Sequence, residues 1–275
     1  MGIPIWLYPV GFICLCLLAQ PVMQFVVAPI VVYFTQSIAQ RPNWRQTELD
    51  QLSPAMVEYL GQVVREFQEQ GFEVVENLHG GGATPGVQGF QALLVNRSTN
   101  DLAVIIMTRA AVVRSALTFA IRSEFSDGTK IATGASQSPG IFPADPRTDW
   151  QNFPWVKQPA AMCEAHRRRL STSGRTRDAR FILTPGNERA YYQMEWDRGN
   201  QWHVQCGYRY LDEAAGVYRF TVKGAMLGTW KLIRPIKRMR IWLRDRAARR
   251  AWKSLGMDAY HPVAVTPANT SGNAN

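Results

Sequence analysis

The first forty residues contain no Asp, Glu, Lys or Arg, and the first charge in the chain is Arg41. Between Ile3 and Phe34 almost every side chain is apolar. A run of that kind reads as a membrane segment. A cleavable signal would carry a basic leading region, a short apolar core and a small-x-small site. Nothing basic precedes this run, and it is too long for a signal core. As one straight helix it would extend ~48 Å at about 1.5 Å per residue, against a hydrocarbon core of ~30 Å. Pro9, Pro21 and Pro29 are the places where it can bend, because proline lacks the N–H donor and clashes with the preceding turn. The expectation is one tilted or kinked span over residues 11–34, preceded by an interfacial stretch with Trp6 and Tyr8. The competing reading is a re-entrant hairpin turning at Gln20-Pro21. Arg41 and Arg45 follow the run, so the positive-inside bias puts the N-terminus outside and the bulk of the chain in the cytoplasm. A single-pass protein of the inner cell membrane is expected.

The net charge of +10 is concentrated in one place. Trp230–Gly256 holds ten Lys or Arg against the single acid Asp245. Pro235 can open a helix there, and Ile236, Met239, Leu243, Ala247, Ala251 and Leu255 recur at three- or four-residue intervals. This basic amphipathic helix can lay its apolar stripe at the headgroup boundary. Its cations Lys237, Arg238, Arg240, Arg244, Arg246, Arg249, Arg250 and Lys253 would then meet lipid phosphates, with Trp242 and Trp252 as indole anchors. Each cation near an anionic surface contributes about 1 kcal/mol, and the tether raises the effective concentration of that surface. The plainer alternative is a charged helix packed on its own domain. Phosphate neutralisation on nucleic acid needs the same residue types, but no recognised RNA-binding motif accompanies them and lipid is the nearest polyanion.

The remainder reads as α+β. Ser53-Pro54 pairs an N-cap with proline at the first helical position, and Met56, Leu60, Val63, Val64 and Phe67 follow at helical spacing up to Gly71. Strand character follows over 72–78, 87–96, 102–108, 117–125 and 130–133, with Asn100-Asp101 and Asp127-Gly128 as turns. A helix and a meander of this kind predict an antiparallel sheet with flanking helices. Residues 134–157, rich in Pro, Gly and Trp, read as an ordered connection. Helices over 159–170 and 187–205, the second interrupted near Gly199, lead to a hairpin over 208–222. The organisation expected is a membrane segment (1–45), an α+β domain (46–157), a helical unit ending in a β-hairpin (158–228), the basic helix (229–256) and a disordered tail (257–275).

Three patterns carry potential chemistry. Cys163-x-x-His166 is mirrored by His203-x-x-Cys206, each pair at i, i+3 on one helix face, and two such faces meeting would form a Cys₂His₂ zinc set. Cys and His are also common as plain buried residues. Cys14 and Cys16 lie in the apolar run, so the four cysteines do not form a disulfide framework. His79-Gly80-Gly81-Gly82 resembles the oxyanion-hole stretch of lipases and esterases, although no Gly-x-Ser-x-Gly elbow accompanies it, and a turn between strands explains the glycines as well. The helix over 187–205, the hairpin and Tyr218-Arg-Phe-Thr-Val-Lys-Gly224 resemble the recognition helix and wing of winged-helix domains, which would imply nucleic-acid binding. Carboxylate pairs such as Glu195/Asp197 and Asp212/Glu213 read as solvated faces or turn residues, and no catalytic residue is assigned. The combined expectation is a non-enzymatic interaction or scaffold protein at the membrane's inner face, with anionic lipid and a protein as partners and no cofactor unless zinc fills the Cys/His set. The alternatives are a tethered winged-helix-like nucleic-acid binder and a hydrolase built on His79–Gly82.

Overall fold

The structure, a computed structural model, describes residues 19–41, 45–46, 54–81, 87–110, 113–138, 140–175 and 183–258. The expected first half of the span, Cys14, Cys16, Ser53, Gly82 and the tail beyond 258 lie outside the described residues.

The helical path runs from Ala19 through Gln20-Pro21 without a turn, then loosens into a π-helical turn at Met23–Val27 before helix α1 (Ala28–Thr35). The Ala28 N–H bonds back five residues to Met23 O, which eases the chain past Pro29 with its missing donor. Among the described residues no helix is long and apolar enough to cross a membrane. Strand β1 (Ser37–Ala39) follows at once and pairs with the hairpin far along the chain, described below.

A seven-stranded sheet forms the centre, in the order β2 (Arg45–Gln46), β3 (Glu73–Gly81), β4 (Val87–Asn96), β5 (Asp101–Ala110), β6 (Val113–Glu124), β7 (Lys130–Ala135), β8 (Thr148–Asn152). The meander is as the alternation predicts. The last pairing departs from the expected antiparallel sheet: β8 runs parallel to β7, Lys130 opposite Thr148 and Gly134 opposite Asn152. The Pro/Gly-rich stretch after β7 returns the chain to its starting edge, and a crossover of that kind yields a parallel neighbour and so a mixed sheet.

Alternation gives the sheet two faces. Ala103, Ile105, Phe119 and Ile121 turn toward helices α2 (Pro54–Glu69) and α3 (Pro159–Thr172), with Leu60, Val63, Phe67, Met162 and Cys163 in the same core. Phe67 lies edge-on to Phe119 at 5.6 Å. Leu93, Val95, Leu102 and Val104 turn the other way, against Tyr191 and Tyr192 of helix α4 (Glu188–Gln205), which passes Gly199 unbroken. Strands β9 (Arg209–Asp212) and β10 (Val217–Phe220) form the expected hairpin, and β1 completes a second sheet in the order β1-β10-β9. Helix α5 (Val222–Trp230), which the sequence reading does not separate from the hairpin, and the basic helix α6 (Ile236–Ser254) close the described chain.

Candidate functional site

Helix α5 packs on α1. Trp230 donates from Nε1 to Phe25 O at 3.1 Å, and the two rings lie 6.2 Å apart. Thr221 caps α5 by accepting the Gly224 N–H at 3.0 Å. Glycine is required at 224, because a Cβ there would stand 1.9 Å from Tyr208 O. Between the two helices runs an apolar groove of about 420 Å³, bounded by Phe25, Ile30, Phe34, Val222 and Met226. Helix α6 begins six residues after α5 ends. Sixteen large apolar side chains are exposed among the described residues, and twelve of them fall in 22–34 and 222–243. They include Phe34 at 70 %, Trp242 at 57 % and Met239 at 56 % exposure. Scattered exposed apolar residues are ordinary, but this concentration is not.

The basic helix divides into two halves. In its first half Met239, Trp242 and Leu243 face solvent. In its second half Ala248 and Trp252 enter the main core, with Trp252 at 4.9 Å from Phe153 and 6.2 Å from Trp155. Trp252 is therefore a core residue and not a lipid-facing indole. The apolar residue at 252 meets two aromatic partners from the 153–155 turn, which spacing within the helix does not reveal. Arg168 donates to both Leu255 O and Gly256 O at 2.8 Å, closing the helix end against α3.

The cations divide likewise. Lys237, Arg238, Arg246, Arg250 and Lys253 are exposed and pair with no carboxylate among the described residues, and Arg246 lies over the Trp242 ring at 5.5 Å. Arg240 donates to Gly140 O at 2.6 Å, and Arg244 donates to Gln137 O and Asp245. Lys231 donates to Ile141 O at 2.8 Å, so three basic side chains hold the loop after β7. Arg249 sits over Trp155 at 5.0 Å. Arg240, Arg244 and Arg249 thus have partners within the fold.

The structure does not bring the Cys/His pairs together. Cys163 and His166 lie buried on α3 against the sheet, whereas His203 packs on Phe142 at 5.1 Å and Cys206 ends α4. Among the described residues no group of three or more His, Cys, Asp or Glu is placed to hold a metal. Burial pushes the Cys163 thiol up to about 12, so in this core it stands protonated. Burial chiefly, with the Arg209 charge second, holds His203 down to about 4. The unfolded chain takes up a proton here that the folded chain refuses, so stability falls as pH drops from about 6.5 toward 4. Acid melts of wild type should show this decrement, and His203→Gln should lack it.

His79, Gly80 and Gly81 are strand residues, paired to Phe90, Gly89 and Gln88, so this described part of the run is sheet rather than an open oxyanion loop. A Ser, a His and an Asp do meet elsewhere. Arg169 donates to Thr133 Oγ1 at 2.8 Å, His166 bonds Thr133 and Ser123 at 2.9 Å each, and Ser123 donates to Asp101. With a neutral imidazole the roles run one way: Thr133 to Nδ1, Nε2–H to Ser123, Ser123 to the carboxylate. Serine stands between histidine and aspartate and is fully buried, whereas a nucleophilic triad places histidine between the other two with an accessible hydroxyl. This is a satisfied polar core that ties α3 to the sheet.

Helix α4 pairs Arg189 with Glu76, and Arg198 with Glu124 and Glu195, leaving neither arginine free for a phosphate backbone. Glu195 is not a solvated face residue. Its side chain is 6 % exposed, and it takes Lys130 and Arg198 as partners. A scan against protein-family models finds no match, and searches of curated proteins and of solved structures find none either.

Proposed function

We propose that this chain is a single-pass, membrane-anchored protein whose α+β domain docks on the anionic inner face of the membrane as an interaction or scaffold module. The observation that carries the reading is the concentration of exposed apolar side chains on 22–34 and 222–243 beside the exposed cations Lys237, Arg238, Arg246 and Arg250. The charge-free first forty residues supply the anchor, and Arg41 and Arg45 beyond them favour a cytoplasmic domain. Met239, Trp242 and Leu243 would sit at the headgroup boundary while neighbouring cations meet lipid phosphates. Four such cations together contribute about 4 kcal/mol near an anionic surface, enough to hold a tethered domain down.

The anchor and its orientation are testable together. Alkaline carbonate washing of membranes containing the full chain should leave it in the pellet, and added protease should reach the domain only from the cytoplasmic side. Release into the supernatant would contradict the anchor, and digestion from the opposite face would reverse the orientation.

A further inference from the structure

The face of the sheet that meets α4 changes character along its width. Under Tyr191 and Tyr192 it is apolar, but at the β6–β8 end it carries Arg122, Glu124, Lys130, Thr148 and Trp150. Glu124 and Lys130 are opposed across β6 and β7, and Arg122 is in register with Ala132 and so with Trp150 beyond. Between this end of the sheet and the second half of α4 lies a cavity of about 190 Å³.

Most charges around it are committed. Glu195 takes Lys130 and Arg198, Glu124 takes Arg198 and the Tyr191 hydroxyl, and Asp145 at the rim accepts the Arg147 N–H at 2.9 Å. Arg122 differs from these. Its side chain is 29 % exposed, its ion contact with Glu195 is 4.0 Å, and no hydrogen bond engages it among the described residues. Arg122, Lys130 and Arg198 stand against Glu124, Glu195 and Asp145, so the cluster is balanced in formal charge, and the donors left unused are those of Arg122. A guanidinium offers five donors in a planar fork suited to carboxylate or phosphate.

The remaining walls suit a flat body. Trp150 lies across Gly134, where a Cβ would stand 2.8 Å from the indole. Trp202 is fixed by donating to Pro143 O at 3.2 Å. His203 lines the same cavity with its Nδ1 buried and, among the described residues, without a partner. We infer that this cavity binds a small organic anion, a carboxylate or phosphate on a flat or aromatic body, with Arg122 as charge partner and Trp150 and Trp202 as walls.

The test uses the full chain in detergent micelles, titrated with benzoate, phenyl phosphate and inorganic phosphate while indole fluorescence and calorimetric heat are followed. At least one aromatic anion should bind saturably, at least about tenfold more tightly than inorganic phosphate. Arg122→Gln should weaken that binding by about tenfold or more, and Arg122→Lys, which keeps the charge but loses the fork, should fall between. Trp150→Leu should erase the preference for the aromatic anion. Unchanged unfolding midpoints separate these losses from misfolding, and Arg122→Lys serves if Arg122→Gln does not fold. Absence of saturable binding by both aromatic anions, or wild-type binding in the Arg122 variants, would overturn the site.

Discussion

Replacing Trp252 with alanine is expected to destabilise the protein by about 3–5 kcal/mol, a large share of the roughly 5–15 kcal/mol that holds a domain together. Its indole is 5 % exposed and packs edge-on to both Phe153 and Trp155. Removing it opens a cavity at the point where α6 joins the core. Trp242→Ala, ten residues earlier on the same helix and 57 % exposed, should change stability by no more than about 0.5 kcal/mol. Chemical denaturation of the two variants in micelles checks the contrast. Equal losses would mean that α6 does not divide between core and surface as described.

Glu195→Ala should cost a comparable amount, about 3–5 kcal/mol, for a different reason. It leaves Lys130, 5 % exposed, as a buried cation without its carboxylate, and withdraws one of two partners from Arg198. Replacing both Glu195 and Lys130 with Leu and Met removes the two charges at once and should recover much of the loss. Denaturation midpoints of the two singles and the double complete the cycle. A double variant as unstable as the sum of the singles would show that the pair is not coupled.

Local signals explain why much of the fold was legible in the sequence. Pro54 and Gly71 bracket α2, with Gly71 at φ 84°, a conformation that favours glycine. At the Asp127-Gly128 turn the Asp127 carboxylate accepts the Thr129 N–H at 2.9 Å and hydroxyl at 2.6 Å. These two contacts, with Arg175 adding to them, hold the carboxyl down to about 2. What stayed hidden depends on distant partners. The short strand β8 owes its parallel pairing to β7, and α5 contains two glycines yet forms because Gly224 can approach Tyr208 O and Trp230 can reach Phe25.

The candidate site divides along the same line. The density of Lys and Arg after Trp230 is a sequence property, but backbone carbonyls such as Gly140 O and Ile141 O carry no side-chain signature. Nothing in the spacing separates Arg240, which donates to the loop, from Arg238, which faces solvent. The i, i+3 spacing pairs Cys163 with His166 and His203 with Cys206, but it does not say what each histidine meets. One meets the Ser123–Thr133 side of the sheet, the other Phe142.

Docking of α6 on lipid is tested most directly by the depth of a single indole. The full chain would be reconstituted into vesicles containing bromine-labelled lipid, with and without anionic headgroups, and compared with Trp242→Phe. Docking predicts that in anionic vesicles Trp242→Phe removes a quenchable component. Changing Lys237, Arg238, Arg246 and Arg250 to Glu should remove the same component. Quenching that is identical in wild type and Trp242→Phe, whatever the headgroup charge, would contradict it.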